Sequence, residues 1–385
     1  MSKHDFTAAE FAARLVHVRA AMAARDLDWL VAVHPASIHW LTGSDAKSYQ
    51  EFQCLLVGAR DEPLVVLTRQ GEVHEFETDS AAGEVHGFGG GENEDPIAAF
   101  AGVAGRHGVL GRRVGLEVPA YYLHPHHYLG LRAIIGDALV TETTELIAGL
   151  KLVKSPAEIG YIRRAAARAD LGMARFVGEL AAGQSELALA GGIYDTLLRN
   201  GSGIAASPIN LVSGPRSAYS HGAPTARLLR EGDFGNIEFG ATFNRYTATI
   251  GRNFALGKPT PRMAELHDIV LRASDAMIAA IRDGVPAAVP HEAARAVLGE
   301  AGLEPYRVHT SGYALGPGFP PSWAEPLHMI GGSPHVLKAG MVVTIEPPVF
   351  IGAEGLGARI IDNVLVTATG AEVLTKTPRD IIVAG

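Results

Sequence analysis

The chain has 385 residues, of which 47% are hydrophobic, 19% charged and 7% aromatic, and this composition excludes a disordered, collagen-like or coiled-coil protein. The formal net charge of −8 argues against a nucleic-acid binder, whose domain is usually basic. A single cysteine, Cys54, excludes an internal disulfide and a cysteine-rich metal cluster. No apolar run approaches the roughly 20 residues that span a bilayer, and the N-terminus lacks the apolar core of a signal peptide. We therefore expect a soluble, cytoplasmic protein without membrane or nucleic-acid partners.

The first 150 residues alternate between helical and strand patterns. Thr7 and Glu10 match a capping box, and apolar residues then recur at helical spacing up to Met22. WLVAV at 29–33 predicts a buried strand. Further short apolar runs occupy 38–41, 54–57, 64–67 and 114–118. Residues 1–150 are therefore predicted to form an α/β domain.

The remaining residues, 151–385, show a different pattern. Ser155, Pro156 and Glu158 form a second capping box, which predicts a long helix. The stretch 234–257 predicts a β-hairpin that turns near Asn244, and 263–284 predicts an amphipathic helix ended by Gly284. Continuous strands are predicted over 341–350 and 358–367. This half should be α+β with an antiparallel sheet.

Polar side chains interrupt the apolar segments of this second half. They are His221 after SGPRSAYS, Glu238 in IEFG, Tyr313 in the glycine-flanked turn SGYALG, Glu346 in TIEP, and Arg359 and Asp362 in ARIID. Polar groups on apolar strands are costly to bury unless they are paired or used. Their recurrence on consecutive segments predicts one shared polar pocket.

The motifs SGPRxxxxHG, GDxxxIEFG, RYxxxxxR, GxxLG, TIEP and RIIDNVLVT occur in this order. In this order they resemble the creatinase/aminopeptidase P/methionine aminopeptidase superfamily, the "pita-bread" enzymes, over nearly the whole chain. The resemblance implies an α+β fold with an N-terminal creatinase-type α/β domain (1–150) and a C-terminal pita-bread catalytic domain (151–385). It also implies a homodimer in which the segment 37–53, with Trp40, Tyr49 and Phe52, borders the partner's active site.

The metallopeptidases of this superfamily bind two metal ions through two Asp, one His and two Glu. The corresponding positions of this chain are Glu238, Thr249, Tyr313, Glu346 and Ile361. Only Glu346 is retained, and only Glu238 is a suitable substitute. A shift of one residue would bring in Asp362, but Thr249 and Tyr313 would remain non-matching. The resemblance therefore implies no dinuclear metal site and no cofactor.

Two metal-independent branches, creatinase and ectoine hydrolase, resemble this altered pattern, and GYALGPGFPPSWAE (312–325) is closer to the second. The implied function is hydrolysis of a non-peptide C–N bond in a small amidine or guanidino compound. The implied catalytic residues are His221 as general acid/base and the carboxylates Glu238 and Glu346 as nucleophile or cation anchors. The implied substrate-binding residues are Tyr313, Arg359, Tyr246, Phe319 and Trp323.

Other interpretations stay open. The chain could be an Xaa-Pro aminopeptidase- or dipeptidase-like metallopeptidase, a non-catalytic pita-bread binding protein, or a C–S lyase. Arg359 could instead form a structural ion pair with Asp362, and Arg252 could be structural. His309 and His328 are lower-ranked site candidates because they are only close in sequence to the motifs.

Overall fold

A computed structural model describes residues 6–385. These residues divide into two compact units, the first ending at Lys151 and the second beginning at Leu152. Within the described range, no helix combines the length and the apolar character needed to cross a membrane.

The N-terminal unit is built on a mixed sheet with the strand order β4-β3-β2-β1-β5-β6. Its strands are β1 (Trp29–Ala32), β2 (Cys54–Gly58), β3 (Val65–Arg69), β4 (Glu84–Phe88), β5 (Val114–Leu116) and β6 (Leu139–Glu142). Its helices are α1 (Ala8–Ala23), α2 (Pro35–Thr42), α3 (Val73–Asp79), α4 (Pro96–Arg106), α5 (Pro125–Ile135) and α6 (Thr144–Lys151). Apolar clusters cover both faces of this sheet.

The local sequence explains the ends of these elements. The Thr7 hydroxyl accepts a hydrogen bond from the Glu10 amide at 3.2 Å, which confirms the predicted start of α1. The apolar run 38–41 belongs to helix α2, because Pro35 occupies its first turn and Gly43, with φ 76°, ends it in the left-handed conformation. Cys54 begins the central strand β2 and is fully buried, and burial raises the pKa of its thiol to about 12.

The aromatic residues of the segment 37–53 are buried within the N-terminal unit rather than exposed on its surface. Trp40, Tyr49 and Phe52 are only 4%, 7% and 1% exposed. Trp40 and Phe52 pack into the two apolar clusters of the N-terminal sheet. Their own unit therefore buries these three side chains, and the role of the segment 37–53 beside a partner's active site stays a prediction.

The C-terminal unit contains a nine-stranded sheet with the main order β16-β15-β12-β10-β9-β8-β7, to which β11 adds beside β10 and β17 beside β9. Its helices are α7 (Pro156–Glu179), α8 (Glu186–Arg199), α9 (Pro261–Ala280) and α10 (Ala288–Glu300). Its strands are β7 (Asn210–Ser213), β8 (Phe234–Phe243), β9 (Tyr246–Leu256), β10 (Tyr313–Phe319), β11 (Ser322–His328), β12 (Val342–Ile345), β13 (Val349–Ile351), β14 (Leu356–Ala358), β15 (Asp362–Val366), β16 (Ala371–Val373) and β17 (Ile382–Ala384).

The two-domain α+β class is confirmed by these elements. The hairpin β8–β9 turns at Asn244 and Arg245, whose φ angles of 46° and 67° are those of a tight hairpin turn. The capping box at Ser155 and Glu158 opens α7 as predicted. Helix α9 ends at Ala280, before the predicted stop at Gly284.

Tyr313 begins strand β10 rather than lying in the predicted turn.

The structure interrupts both of the strands that were predicted to be continuous. The stretch 341–350 divides into β12 and β13 around Pro347 and Pro348, which have no N–H for a sheet hydrogen bond. The stretch 358–367 divides between β14 and β15. Both interruptions release backbone from the sheet next to a polar residue of the predicted pocket.

Candidate functional site

A small cavity in the C-terminal unit collects charged and aromatic side chains. It is lined by Ser220, His221, Glu238, His309, Glu346, Pro348, Phe350, Arg359 and Ile361. Its free volume is about 10 Å³, which is room for about one water molecule.

Three elements bring the charged residues together. Glu238 projects from the middle of β8, Glu346 directly follows β12, and Arg359 directly follows β14. All three residues are only 4% exposed. The interruptions of the two predicted strands therefore lie where Glu346 and Arg359 enter the cavity.

Arg359 is the cation of this cavity and is held from several sides. Its guanidinium is ion-paired with the Glu238 carboxylate and donates to the Ser220 carbonyl. It also stacks over the Phe350 ring, with 5.0 Å between the guanidinium carbon and the ring centroid. Asn210 donates a further hydrogen bond to Glu238 at 3.1 Å. The Nε of Arg359 is buried without a hydrogen-bond partner, so the guanidinium retains one donor for a ligand.

Glu346 is the second carboxyl group of the cavity. Burial, and then the charge of Glu238, raise its pKa well above the usual range, against the opposing effect of Arg359. Thr344 donates to it at 3.2 Å, and the Tyr313 hydroxyl also hydrogen-bonds it. Two buried carboxyl groups face one guanidinium here, so Glu346 is the group that retains a proton.

Two histidines stand next to these groups, with ring centroids 5.3 Å apart. His221 is exposed, whereas His309 is half-buried. Burial lowers the pKa of His309, so its ring is neutral at pH 7. The Nδ1 of His309 lies 3.0 Å from the Thr310 carbonyl, and this contact requires a proton on Nδ1. The neutral ring therefore carries its acceptor lone pair on Nε2.

The predicted site residues divide into two groups. His221, Glu238, Glu346 and Arg359 line the cavity, and Tyr313 touches it through Glu346. Tyr246, Phe319 and Trp323 are not among the lining residues.

The structure places these last three aromatic residues in packing roles instead. Tyr246 is fully buried and donates to Glu158 at 2.7 Å. Phe319 packs under the Arg245 guanidinium at 4.5 Å. Trp323 acts only indirectly, because its indole N–H donates to the Tyr313 hydroxyl at 2.9 Å. The structure does not bring these three side chains into the cavity, and their role in substrate binding stays a prediction.

The sequence motifs did not predict that Ser220 and Phe350 line the cavity. They indicated His309 only as a lower-ranked site candidate, although it also lines the cavity. The only signal for His309 in the sequence was its place four residues before Tyr313. His328 lies outside the cavity, with its ring 5.9 Å from that of Tyr313.

Asp362 has a structural role. Its Oδ1 accepts hydrogen bonds from Arg252 at 2.8 Å and from Thr375 at 2.7 Å, and all three residues are buried. The suggested pairing of Arg359 with Asp362 is therefore wrong, since Arg359 pairs with Glu238 and Asp362 with Arg252. Asp362 is also unsuited to replace Ile361 in the cavity.

The metallopeptidases of the superfamily bind two metal ions through five residues, and the corresponding residues of this chain differ in their chemistry. Of the five corresponding positions, Thr249 hydrogen-bonds Asn363, Tyr313 holds a neutral phenol and Ile361 has no donor. Burial and the charges of the neighbouring glutamates raise the Tyr313 pKa well above its usual value. Of the remaining two, Glu238 is already paired with a guanidinium. These residues do not fit a dinuclear metal centre.

Comparison with known proteins identifies the family. Residues 160–368 match the model of metallopeptidase family M24, and residues 14–153 match the creatinase/prolidase N-terminal domain. The chain therefore belongs to metallopeptidase family M24.

Its relatives carry peptidase names. The chain is 31% identical over 384 residues to "Probable dipeptidase PepE" of Mycobacterium tuberculosis, covering 100% of this chain and 99% of that protein. It is 32% identical over 238 residues to an Xaa-Pro dipeptidase of Pyrococcus furiosus, covering 62% and 67%. The solved structure of dipeptidase PepE from Mycobacterium ulcerans superposes with a TM-score of 0.85 at 29% identity, covering 98% and 99%.

These findings correct the functional prediction. The superfamily assignment is confirmed, but the creatinase-like and ectoine hydrolase-like interpretation is wrong, because these relatives are named dipeptidases. The same correction applies to hydrolysis of a non-peptide C–N bond and to the description of the chain as metal-independent, since family M24 is a metallopeptidase family.

Proposed function

We propose that this chain is a hydrolase of dipeptides and that the small cavity of the C-terminal unit is its active site. The observation that carries the proposal is the charge arrangement of Arg359, Glu238 and Glu346 in a chain that matches a dipeptidase over its full length. A dipeptide is a small zwitterion, with one carboxylate and one ammonium group. The cavity offers both signs of charge at hydrogen-bonding range.

The cavity has room for about one water and must open to accept a dipeptide, and the ion pair of Arg359 and Glu238 is the contact that a charged ligand would exchange. The substrate carboxylate would replace Glu238 on Arg359, and the released Glu238 would bind the substrate ammonium. One internal ion pair is thereby exchanged for two pairs with the substrate. Arginine suits this role because its planar fork matches a carboxylate.

The remaining groups supply proton transfer. The neutral His309 would accept a proton on Nε2 from the attacking water, whose oxygen forms a bond to the peptide carbon. The protonated Glu346 would donate its proton to the departing nitrogen as the C–N bond breaks. A proton returned from His309 to Glu346 completes the cycle. Exposed His221 lies beside His309 and would exchange protons with solvent.

The test is hydrolysis of a panel of dipeptides, Xaa-Pro and others, followed by mass spectrometry of the amino acids released. Each reaction is run with chelated protein and with protein supplied with divalent metal ions, and creatine and ectoine serve as non-peptide controls. We expect release of amino acids from at least one dipeptide class. Cleavage of a control compound alone would overturn the proposal.

A second candidate is a protein that binds dipeptides without cleaving them. The observation that favours it is the donor set, in which Thr249, Tyr313 and Ile361 provide no ligand for a dinuclear metal centre. Calorimetric binding of a dipeptide without product would establish this candidate over hydrolysis. Absence of both binding and turnover for the whole panel would exclude both.

A further inference from the structure

A separate cluster of two histidines and one glutamate lies in the N-terminal unit, on the edge strand β4 and at the end of α4. We propose that Glu84, His86 and His107 form a binding site for one divalent transition-metal ion of the zinc type. These three residues lie outside the cavity of the C-terminal unit and have no part in the proposed dipeptide hydrolysis.

The fold brings the three side chains to one face of the sheet. Glu84 and His86 are two positions apart on β4, so they point to the same side. Phe88 continues that side and belongs, with Val103 of α4, to one apolar cluster. Helix α4 therefore lies over this face, and His107, which caps its C-terminus, lies beside the two β4 side chains.

The ligand atoms converge on one point. Glu84 Oε1 lies 2.6 Å from Nε2 of His86 and 3.3 Å from Nε2 of His107. One oxygen or nitrogen from each residue lies within 4.8 Å of the others. In a tetrahedral zinc site with bonds of about 2.1 Å, neighbouring ligand atoms lie about 3.4 Å apart. Small side-chain shifts would therefore place an ion between these three atoms.

Glu84 lies within ion-pair distance of both histidine nitrogens but forms a hydrogen bond with neither of them. Both Nε2 atoms are shielded from solvent and neither makes a hydrogen bond of acceptable geometry. The two rings lie with their centroids 5.8 Å apart at 67°, and the Nε2 atoms of both rings lie next to the same carboxylate oxygen. Shielded polar atoms without a hydrogen bond are costly, and a metal ion would bind both nitrogens at once.

One neighbouring group opposes the ion. The guanidinium of Arg106 lies 3.3 Å from Nδ1 of His86. A metal on Nε2 requires a proton on Nδ1, which cannot accept from arginine. Arg106 must therefore swing aside when the ion binds. Its removal should strengthen binding, and this expectation is specific to the proposed geometry.

Ligand type indicates the class of ion. Two imidazoles and one carboxylate suit Zn²⁺, Co²⁺, Ni²⁺ or Cu²⁺, whereas Mg²⁺ and Ca²⁺ prefer oxygen ligands alone. Three protein ligands leave a fourth position for water. His107 also borders a cavity of about 140 Å³ beside Asp28 and Arg60, which offers an approach from solvent.

The test uses the full chain, stripped with chelator and titrated with Zn²⁺ against a chromophoric indicator. His86→Ala and His107→Ala should each weaken Zn²⁺ binding at least about 30-fold, since the loss of a mere outer-shell partner already costs roughly 10–100-fold in metal affinity. The matched control is His74→Ala, an exposed histidine of the same unit, which should change nothing. Arg106→Gln should tighten binding several-fold. Thermal melts without metal establish that each variant is folded.

Two further measurements decide the location. Cu²⁺ bound to the chain should show an electron paramagnetic resonance signal coupled to two imidazole nitrogens, reduced to one in His107→Gln. Glu346→Gln, in the C-terminal cavity, should leave Zn²⁺ affinity at the proposed site unchanged. Zn²⁺ affinity that survives both histidine substitutions, or that is weaker than about 100 μM, would overturn the proposal without bearing on dipeptide hydrolysis.

Discussion

Arg359 and Glu238 form a buried ion pair although 121 positions separate them in the chain. Glu346 lines the same cavity, so two carboxyl groups share one guanidinium. Since burial makes an unbalanced charge costly, the second carboxyl group keeps its proton. The pairing of Arg359 with Glu238 therefore determines which charged groups a ligand meets in the cavity. It also determines that Glu346 is protonated.

Arg359→Met should destabilise the C-terminal unit by about 3–5 kcal/mol, because it leaves a buried carboxylate without its partner. Denaturant unfolding of the variant measures this loss. The matched control is Arg262→Met, which removes a pair with Glu354 at 2.8 Å on the surface. That change should cost less than about 1 kcal/mol. An equal loss of unfolding free energy in the two variants would show that the buried ion pair contributes no more to stability than the surface pair.

Glu346→Gln should alter the dependence of stability on pH. Burial raises the pKa of Glu346 in the folded state above the unfolded value of 4.5. The stabilisation linked to its proton is full below pH 4.5 and is lost as the pH rises toward the folded pKa. A glutamine cannot ionise, so the variant does not lose stability in this way as the pH rises. The urea midpoint of the variant minus that of wild type should therefore increase from pH 5 to pH 8.

A control for this measurement is Glu354→Gln. Arg262 lowers the pKa of Glu354, so that side chain should produce no relative gain above pH 5. A constant difference between Glu346→Gln and wild type across the range would mean that Glu346 is ionised throughout.

His309→Ala should lower dipeptide turnover by about 10²–10⁴-fold with a smaller change in KM, as expected for loss of a general base. His221→Ala should have a weaker effect, because the exposed ring can be replaced by solvent. The exposed His17, in the N-terminal unit, provides a control substitution. Burial lowers the pKa of His309 below 6.5, so the acidic limb of kcat/KM should lie below that pH. A larger effect at His221 would reverse the two roles.

The homodimer remains a prediction. Light scattering at micromolar concentration should give the mass of two chains of 40.5 kDa, since a closed two-fold assembly is the commonest kind. The buried positions of Trp40 and Phe52 mean that alanine substitutions there should destabilise the N-terminal unit rather than dissociate a dimer. A monomeric mass at this concentration would contradict the prediction.

The elements with strong local signals could be predicted from the sequence. The caps at Thr7 and Ser155 and the hairpin turn at Asn244 depend on hydrogen bonds within a few residues, so the chain itself encodes them. Glu238 and Glu346 were found because a carboxyl group on an apolar segment is costly without a function or a partner.

The pairing of charges could not be predicted in the same way. The sequence motifs contain two arginines and two carboxylates that could pair in either combination. Only the three-dimensional structure shows that Arg359 pairs with Glu238. Arg252 pairs with Asp362. The interruptions beside Glu346 and Arg359 were missed because the apolar composition continues through them. The burial of Tyr246 could not be predicted either, since a motif position does not reveal which face of a strand is buried.

The fully buried Cys54 gives this protein a practical property. Its thiol is shielded within the sheet and stays protonated at ordinary pH, so maleimide reagents should not modify the folded chain. The native sequence thus serves as a ready background for site-specific labelling. A cysteine introduced at Ser220, on the cavity wall, could carry a fluorophore that reports ligand entry, with no native residue removed elsewhere.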